Sequence, residues 1–193
     1  MKQLYFLIPL TILLFSLFAV VYSEDYYLDH ASEVEYYEEE VGNLLGYFKG
    51  GGLDTTRYSE KEIVHLKDVR KLIYVGLSLL LVLLLVNVWS FSKVSVKLRK
   101  RVLVKSGVYA CASFASLALA LWLAFDLFFR LFHEIFFFND YWMLPADSTL
   151  IQMFPQSFFY SAVSSIILYS IVLSLLFIVA GCIISAGKKD GRT

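Results

Sequence analysis

Apolar positions along the chain fall into four long runs, from about Leu4 to Tyr22, Leu72 to Trp89, Val108 to Phe125 and Phe159 to Ile184. Each is near or above the roughly 17–25 residues a helix needs to cross the hydrocarbon core of a bilayer. Only Asn87, near the end of the second run, is strongly polar within them. Four crossings leave both termini on one side. The pattern predicts an all-α integral membrane protein: a single membrane domain over residues 1–193, with four transmembrane helices and an extracytoplasmic helical cap.

The polar stretches between the runs differ in character. Residues 23–71 begin SEDYYLDHASEVEYYEEEVGNLLGYF, where tyrosines and Leu/Val alternate with carboxylates as in amphipathic helices lying near an interface. KGGGLDTT, through Gly50–Gly52, reads as a turn, and SEKEIVHLKDVRKL resumes a helical pattern. There Ser59 and Glu62 have the spacing of a capping box. Ile63, Leu66, Val69 and Ile73 share one side of that helix, and His65 and Asp68 share another. Continuation into the second run would hold His65 just outside the hydrocarbon, on a helix rather than a loop.

Composition supports lipid as the solvent. Hydrophobic residues make up 59% of the chain and charged residues 18%, with a mean hydropathy of +0.66. Ordinary soluble domains hold about 45–50% and about 25%. A soluble domain of this length has too little interior to hide such a surplus.

The formal net charge of zero conceals a segregation. Lys93, Lys97, Arg99, Lys100, Arg101 and Lys105 crowd the basic segment 90–107, Lys188, Lys189 and Arg192 follow the last run, and Lys2 precedes the first. The positive-inside rule makes these cytoplasmic and turns the acidic residues from Glu24 to Glu40 outward. The basic loop serves as the orientation signal or as a patch for acidic lipid. Nothing supports nucleic-acid recognition.

The first run, with VYS at Val21–Ser23, resembles a secretory signal, but its apolar core exceeds the usual ~7–15 residues, which favours a retained helix. Cys111 and Cys182 lie inside apolar runs as small buried side chains rather than disulfide partners, and no Cys/His spacing matches a zinc site.

The second outward segment, residues 126–158, is aromatic-rich. It starts as an extension of the third run, with Asp126, Arg130 and His133 or Glu134 along one stripe. Arg130 can pair with Asp126 or Glu134, or bind a lipid phosphate. Pro145 and Pro155 interrupt the helical pattern beyond Asn139, and Trp142 reads as a headgroup anchor.

His65 and His133 therefore sit at one depth, beside the ends of apolar helices. Histidine accepts a proton near neutral pH, and a carboxylate can fix its tautomer: Asp68 for His65, Glu134 or Asp140 for His133. His30 lacks such a framework and reads as surface. Each membrane-edge histidine has the alternative of being an interfacial anchor. No GxSxG, P-loop or dinucleotide fingerprint occurs, so an enzyme here would activate a nucleophile that belongs to its substrate.

The ordered stretches HLKDV (His65–Val69), LFHEIFFFNDYW (Leu131–Trp142) and LIQMFPQSFF (Leu150–Phe159), set in a four-span frame, resemble the bacterial lipoprotein intramolecular transacylases. The resemblance implies transfer of the sn-2 acyl chain of a diacylglyceryl-cysteine to its own α-amino group, giving a lyso-form lipoprotein. It also implies that His65 and His133 are the functional histidines, with His133 favoured as base. Asp68, Arg130, Glu134, Asn139 and Asp140 are supporting candidates, Arg130 or Asn139 for the oxyanion.

On that resemblance the expected partners are diacylglyceryl-modified lipoproteins and membrane phospholipid. The expected protein is a monomer without metal or cofactor, working at the outer leaflet of the bacterial cell membrane. The alternatives are another outer-leaflet acyltransferase or lipid hydrolase, and a non-enzymatic membrane assembly or sensor protein.

Overall fold

The computed structural model describes residues 2–186, so the basic positions Lys188, Lys189 and Arg192 lie outside the described residues. The described residues form seven helices and no strand: α1 (Leu4–Val21), α2 (Glu24–Asp29), α3 (Tyr37–Phe48), α4 (Glu60–Ser92), α5 (Val96–Phe136), α6 (Thr149–Met153) and α7 (Gln156–Ala186). Helices α1, α4, α5 and α7 are long and apolar enough to cross a membrane, so the protein is a multi-pass membrane protein. At 33 and 41 residues, α4 and α5 exceed the ~20 that a crossing requires. The surplus extends each apolar run into the segments that carry His65 and His133. The basic segment 90–107, expected as a loop, is mostly helical: α4 ends at Ser92 and α5 starts at Val96.

Contacts divide the chain into two compact units. The first comprises the described residues up to Phe18, Leu77–Leu123 and the described residues from Ser164. Its helices pack through small residues. A Cβ on Gly107 would lie 2.6 Å from Ile178 Cγ1 and 2.7 Å from the Ser174 carbonyl oxygen. A Cβ on Gly181 would lie 2.7 Å from Val104 Cγ2. Lipid tails are as apolar as leucine, so close backbone approach and hydrogen bonds hold such helices together.

Those bonds are present. Asn87 Nδ2 donates to Thr11 Oγ1 at 2.6 Å, which ties α4 to α1, and Ser106 Oγ donates to the Leu4 carbonyl at 3.3 Å, which ties α5 to α1. The hydroxyls of Ser170 and Ser174 donate to carbonyls one turn back, at Ile166 and Ser170. Both cysteines are free.

The second unit, Ala19–Gly76 and Ala124–Val163, contains α2, α3, α6 and the adjoining ends of α4, α5 and α7. Tyr37, Val41, Leu44, Leu45 and Phe48 form the buried face of α3 at helical spacing. The helix closes in a Schellman-type turn: Gly51 N donates to the Gly46 carbonyl and Gly50 N to the Tyr47 carbonyl. Gly50 sits at φ 113°, where a side chain would be strained.

Glu40, buried at 4% exposure, accepts from Tyr58 Oη at 2.6 Å and Asn43 Nδ2 at 2.9 Å and pairs with Arg57 Nε at 3.2 Å. The expected capping box opens α4: Ser59 N donates to Glu62 Oε2 at 2.8 Å, and Glu62 N approaches Ser59 Oγ at 3.4 Å. Helix α5 departs from helical dihedrals at Ala124 (φ −147°, ψ 42°), where the second unit's share of it begins.

Two glycines should respond oppositely to a larger side chain. Gly107→Val forces atoms into contact in the first unit and should destabilise by ~1–3 kcal/mol, as overpacking does. Gly42→Ala, with nothing within 4 Å of the new methyl and a helical site in α3, should stabilise by ~0.5–1 kcal/mol. Thermal unfolding in one detergent, compared for the two variants, checks both signs.

Candidate active site

The second unit brings His65 of α4 and His133 of α5 together, with ring centroids 6.1 Å apart and planes tilted by 30°. Phe137 lies against both, at 4.9 Å from His65 and 5.5 Å from His133. His133 is further enclosed by Phe129 at 4.4 Å, Phe132 at 5.4 Å and Trp142, which stacks on it at 4.8 Å and 29°. His30 stands apart: its ring stacks on Tyr26 at 4.2 Å and its Nδ1 bonds the Tyr26 carbonyl.

One hydrogen bond sets the chemistry of His133. Its Nδ1 lies 2.7 Å from the Phe129 carbonyl oxygen, four residues back on the same helix. A carbonyl only accepts, so Nδ1 carries the proton, and in the neutral ring Nε2 presents a lone pair. The tautomer is therefore set by the backbone rather than by Glu134 or Asp140. His65 is less constrained: its Nδ1 is buried without a hydrogen-bond partner in the protein.

Both imidazoles precede or follow the apolar runs, and both are held toward the neutral form. Burial lowers the His65 pKa from 6.5 to about 4, with the proximity of His133 adding to it and Asp68 opposing. Burial also lowers that of His133, against the Phe129 hydrogen bond, which raises it.

Asp68 does not hydrogen-bond His65. Its Oδ2 accepts from Asn139 Nδ2 at 2.9 Å and its Oδ1 from Lys71 Nζ at 3.0 Å. Burial alone would raise its pKa, but these two hydrogen bonds hold it below the usual carboxylate value. Arg130 reaches Glu134 with a loose ion pair at 3.8 Å, both side chains more than half exposed, while Asp126 accepts from Gln156 Nε2 at 2.6 Å instead. Arg130, Glu134 and Asp140 line a cavity of about 440 Å³ together with Phe138, Trp142 and Met143, and neither histidine lines it. Among the described residues no group of three His, Cys, Asp or Glu side chains is assembled to hold a metal ion.

Two participants were not legible as such: Trp142, which stacks on His133 instead of serving only as an anchor, and the Phe129 carbonyl. Trp142 comes nine positions after His133, and only the loop's path joins them. The carbonyl could have been found from the i−4 relation along the helix.

A family profile described as "Lipoprotein intramolecular transacylase Lit" matches residues 3–159. The chain belongs to this family. Comparison with curated proteins gave no match.

Solved structures of the membrane-integral lipoprotein intramolecular transacylase Lit from Bacillus cereus share the fold. One has a TM-score of 0.82 at 20% identity, over 97% of this chain and 95% of that one. A form with a histidine-to-alanine substitution scores 0.77 at 21% identity, over 97% and 93%, and a histidine-to-arginine form 0.75 at 20%, over 98% and 92%. As a member of the Lit family the protein is a membrane acyltransferase of the intramolecular kind.

The depressed histidine pKa values carry a linkage sign. In the unfolded chain each histidine takes up a proton near 6.5, whereas folded His65 resists until about 4. Unfolded protein thus binds more protons in that window, and stability should fall as pH drops from 6.5 toward 4. Imidazole NMR should place the His65 midpoint near 4 and that of His133 below 6.5. A midpoint at or above 6.5 for His65 contradicts its burial as the dominant cause.

Proposed function

We propose that this Lit-family protein moves the sn-2 acyl chain of a diacylglyceryl-modified cysteine to that cysteine's own α-amino group, releasing a lyso-form lipoprotein. The observation that carries this is the geometry of His133, a neutral imidazole with Nδ1 occupied by the Phe129 carbonyl and Nε2 free to accept a proton.

The α-ammonium has a reference pKa of ~8, so a fraction of the substrate is free amine without further help. The neutral amine attacks the ester carbonyl while His133 Nε2 takes its proton. The carbon–nitrogen bond forms, the bond to the glyceryl oxygen breaks, and a proton passes to that oxygen. His65 is the proposed partner for the leaving oxygen or the oxyanion, because its ring lies 6.1 Å from that of His133 and no protein group is bonded to its Nδ1. Amine and ester belong to one molecule, so holding them together removes the entropy of a bimolecular encounter.

The aromatic enclosure of His133 supports transfer over hydrolysis, since Phe129, Phe132, Phe137 and Trp142 leave little room for water beside the base. The cavity beside Trp142 mixes charged side chains (Arg130, Glu134, Asp140) with apolar ones (Phe138, Met143), as a substrate with both lipid and peptide parts requires. The positive-inside rule, applied to the basic residues 93–105, puts both termini in the cytoplasm and this site at the outer leaflet.

His133→Ala should preserve membrane insertion and reduce acyl migration by ~10²–10⁴-fold, the usual worth of a general base. His65→Ala should also lower it. Tandem mass spectrometry of a tryptic N-terminal lipopeptide, from a transacylase-deficient host with and without this protein, checks both. Intact mass does not change on migration, so fragments must locate one chain on nitrogen and one on the S-glyceryl group. Full activity in folded His133→Ala protein rules out the base, and free fatty acid in place of N-acyl product would point to a hydrolase.

A further inference from the structure

Helix α5 ends at Phe136, and the chain then carries Trp142 onto the ring of His133. Phe137, buried against both histidines, anchors the start of this stretch, and little else does beyond it. Phe138 is 97% exposed, and Asp140, Tyr141 and Met143 are exposed as well. Only Asn139 and Trp142, between residues 138 and 143, are half-buried. The loop's own backbone bonds are short-range, from Met143 N to the Asp140 carbonyl and from Leu144 N to the Trp142 carbonyl.

Asn139 uses both ends of its amide. Nδ2 donates to Asp68 Oδ2 at 2.9 Å, across to α4, while Oδ1 accepts from Tyr141 N at 3.0 Å, one residue before Trp142. The other oxygen of Asp68 is occupied by Lys71. Asp68 therefore directs its buried side to the loop, not to a histidine.

We propose that Asp68 and Asn139 form a latch that holds Trp142 against the ring of His133, and that both are positioning residues for the acyl transfer rather than groups that touch the substrate. The role in transfer rests on the proposed function; the latch itself rests on geometry alone. An imidazole stacked at 4.8 Å by an indole has its plane fixed, and Nε2 with it. Without the latch the loop keeps its local turns but loses its tie to α4. A shift of ~1 Å at a reacting group is enough to cost ~10²-fold in rate.

The substitutions that test this are matched in size. Asn139→Asp removes the donor to Asp68 and sets two carboxylates face to face, yet retains an acceptor for Tyr141 N. Asp68→Asn combined with Asn139→Asp reverses the hydrogen bond and should restore it. That pair loses the Asp68–Lys71 ion pair, whose lysine is 77% exposed, and moves the carboxylate that opposes the lowering of the His65 pKa.

The full chain in nanodiscs, with Trp89 and Trp122 changed to phenylalanine, reports Trp142 alone; both replaced residues are exposed and lie outside the site. Asn139→Asp should red-shift Trp142 emission, raise its quenching by acrylamide and slow acyl migration ~10–100-fold. The double variant should bring emission and rate back to within about threefold of the parent. Should Asn139→Asp fail to fold, Asn139→Leu removes the donor without adding charge and should give the same emission change.

Unchanged emission in a folded single variant overturns the latch, whatever the rate. Changed emission with an unchanged rate overturns the positioning role, and a double variant that stays red-shifted and slow overturns the assigned pairing. If the parent itself moves no acyl chain while emission keeps to the expected pattern, the proposed function fails and the latch stands.

Discussion

Of the second unit's two buried carboxylates, Glu40 and Glu62, the deeper one ties the start of α4 to α6. Glu62 is 2% exposed, and both of its oxygens are taken: Oε2 by the Ser59 amide and hydroxyl at 2.8 and 2.7 Å, Oε1 by the Leu150 amide at 2.8 Å. A carboxylate this deep would be costly without donors; three of them, at the amino end of a helix whose dipole favours negative charge, offset that cost. The same side chain thus starts α4 and fixes the entry to α6. Thr149 Oγ1 adds a bond to the Arg57 carbonyl at 2.6 Å. His65 comes one turn after Glu62, so the depth and rotation of its ring are set where the helix begins.

The histidines obey a complementary constraint. Two imidazoles 6.1 Å apart in an aromatic surround cannot both be protonated cheaply, and burial already disfavours charge on either. Polar groups that would reverse this are kept occupied or away. Asp68 is close enough to oppose the His65 shift, but its oxygens belong to Lys71 and Asn139. Glu134 leans toward Arg130 in the cavity. A neutral pair results, one ring with its tautomer fixed and the other with a buried Nδ1 that no protein group bonds.

Much of this was legible in the sequence. The four apolar runs map onto α1, α4, α5 and α7, because a helix in lipid satisfies its backbone internally and composition alone then marks its extent. The capping box at Ser59 and Glu62 and the turn at Gly50 were readable because each is local, decided within a few residues. The family's ordered stretches named His65 and His133, and their shared depth came from the spans. The misread features were non-local or carried no side-chain label. The basic residues 93–105 suggested a loop, yet lysine and arginine are good helix formers, and a charge pattern that sets orientation says nothing against helix. The three-residue spacing of His65 and Asp68 showed a common face, but not that Asn139, 71 positions away, would claim the carboxylate. The partner of His133 is a main-chain oxygen, whose position depends on the helix and not on which residue bears it.

The aromatic surround explains why both kinds of information were needed. Phe129, Phe132 and Phe137 read in sequence as an ordinary apolar stretch at the end of a span. Only their closure around a histidine whose Nδ1 is already bonded makes them chemically consequential. An apolar wall around an unpartnered base would merely cost stability. With one nitrogen bonded to the backbone, the same wall keeps the His133 imidazole toward its neutral form. On the proposed function, that lets the substrate's own amine serve as nucleophile, and the chain needs no serine or cysteine in the role.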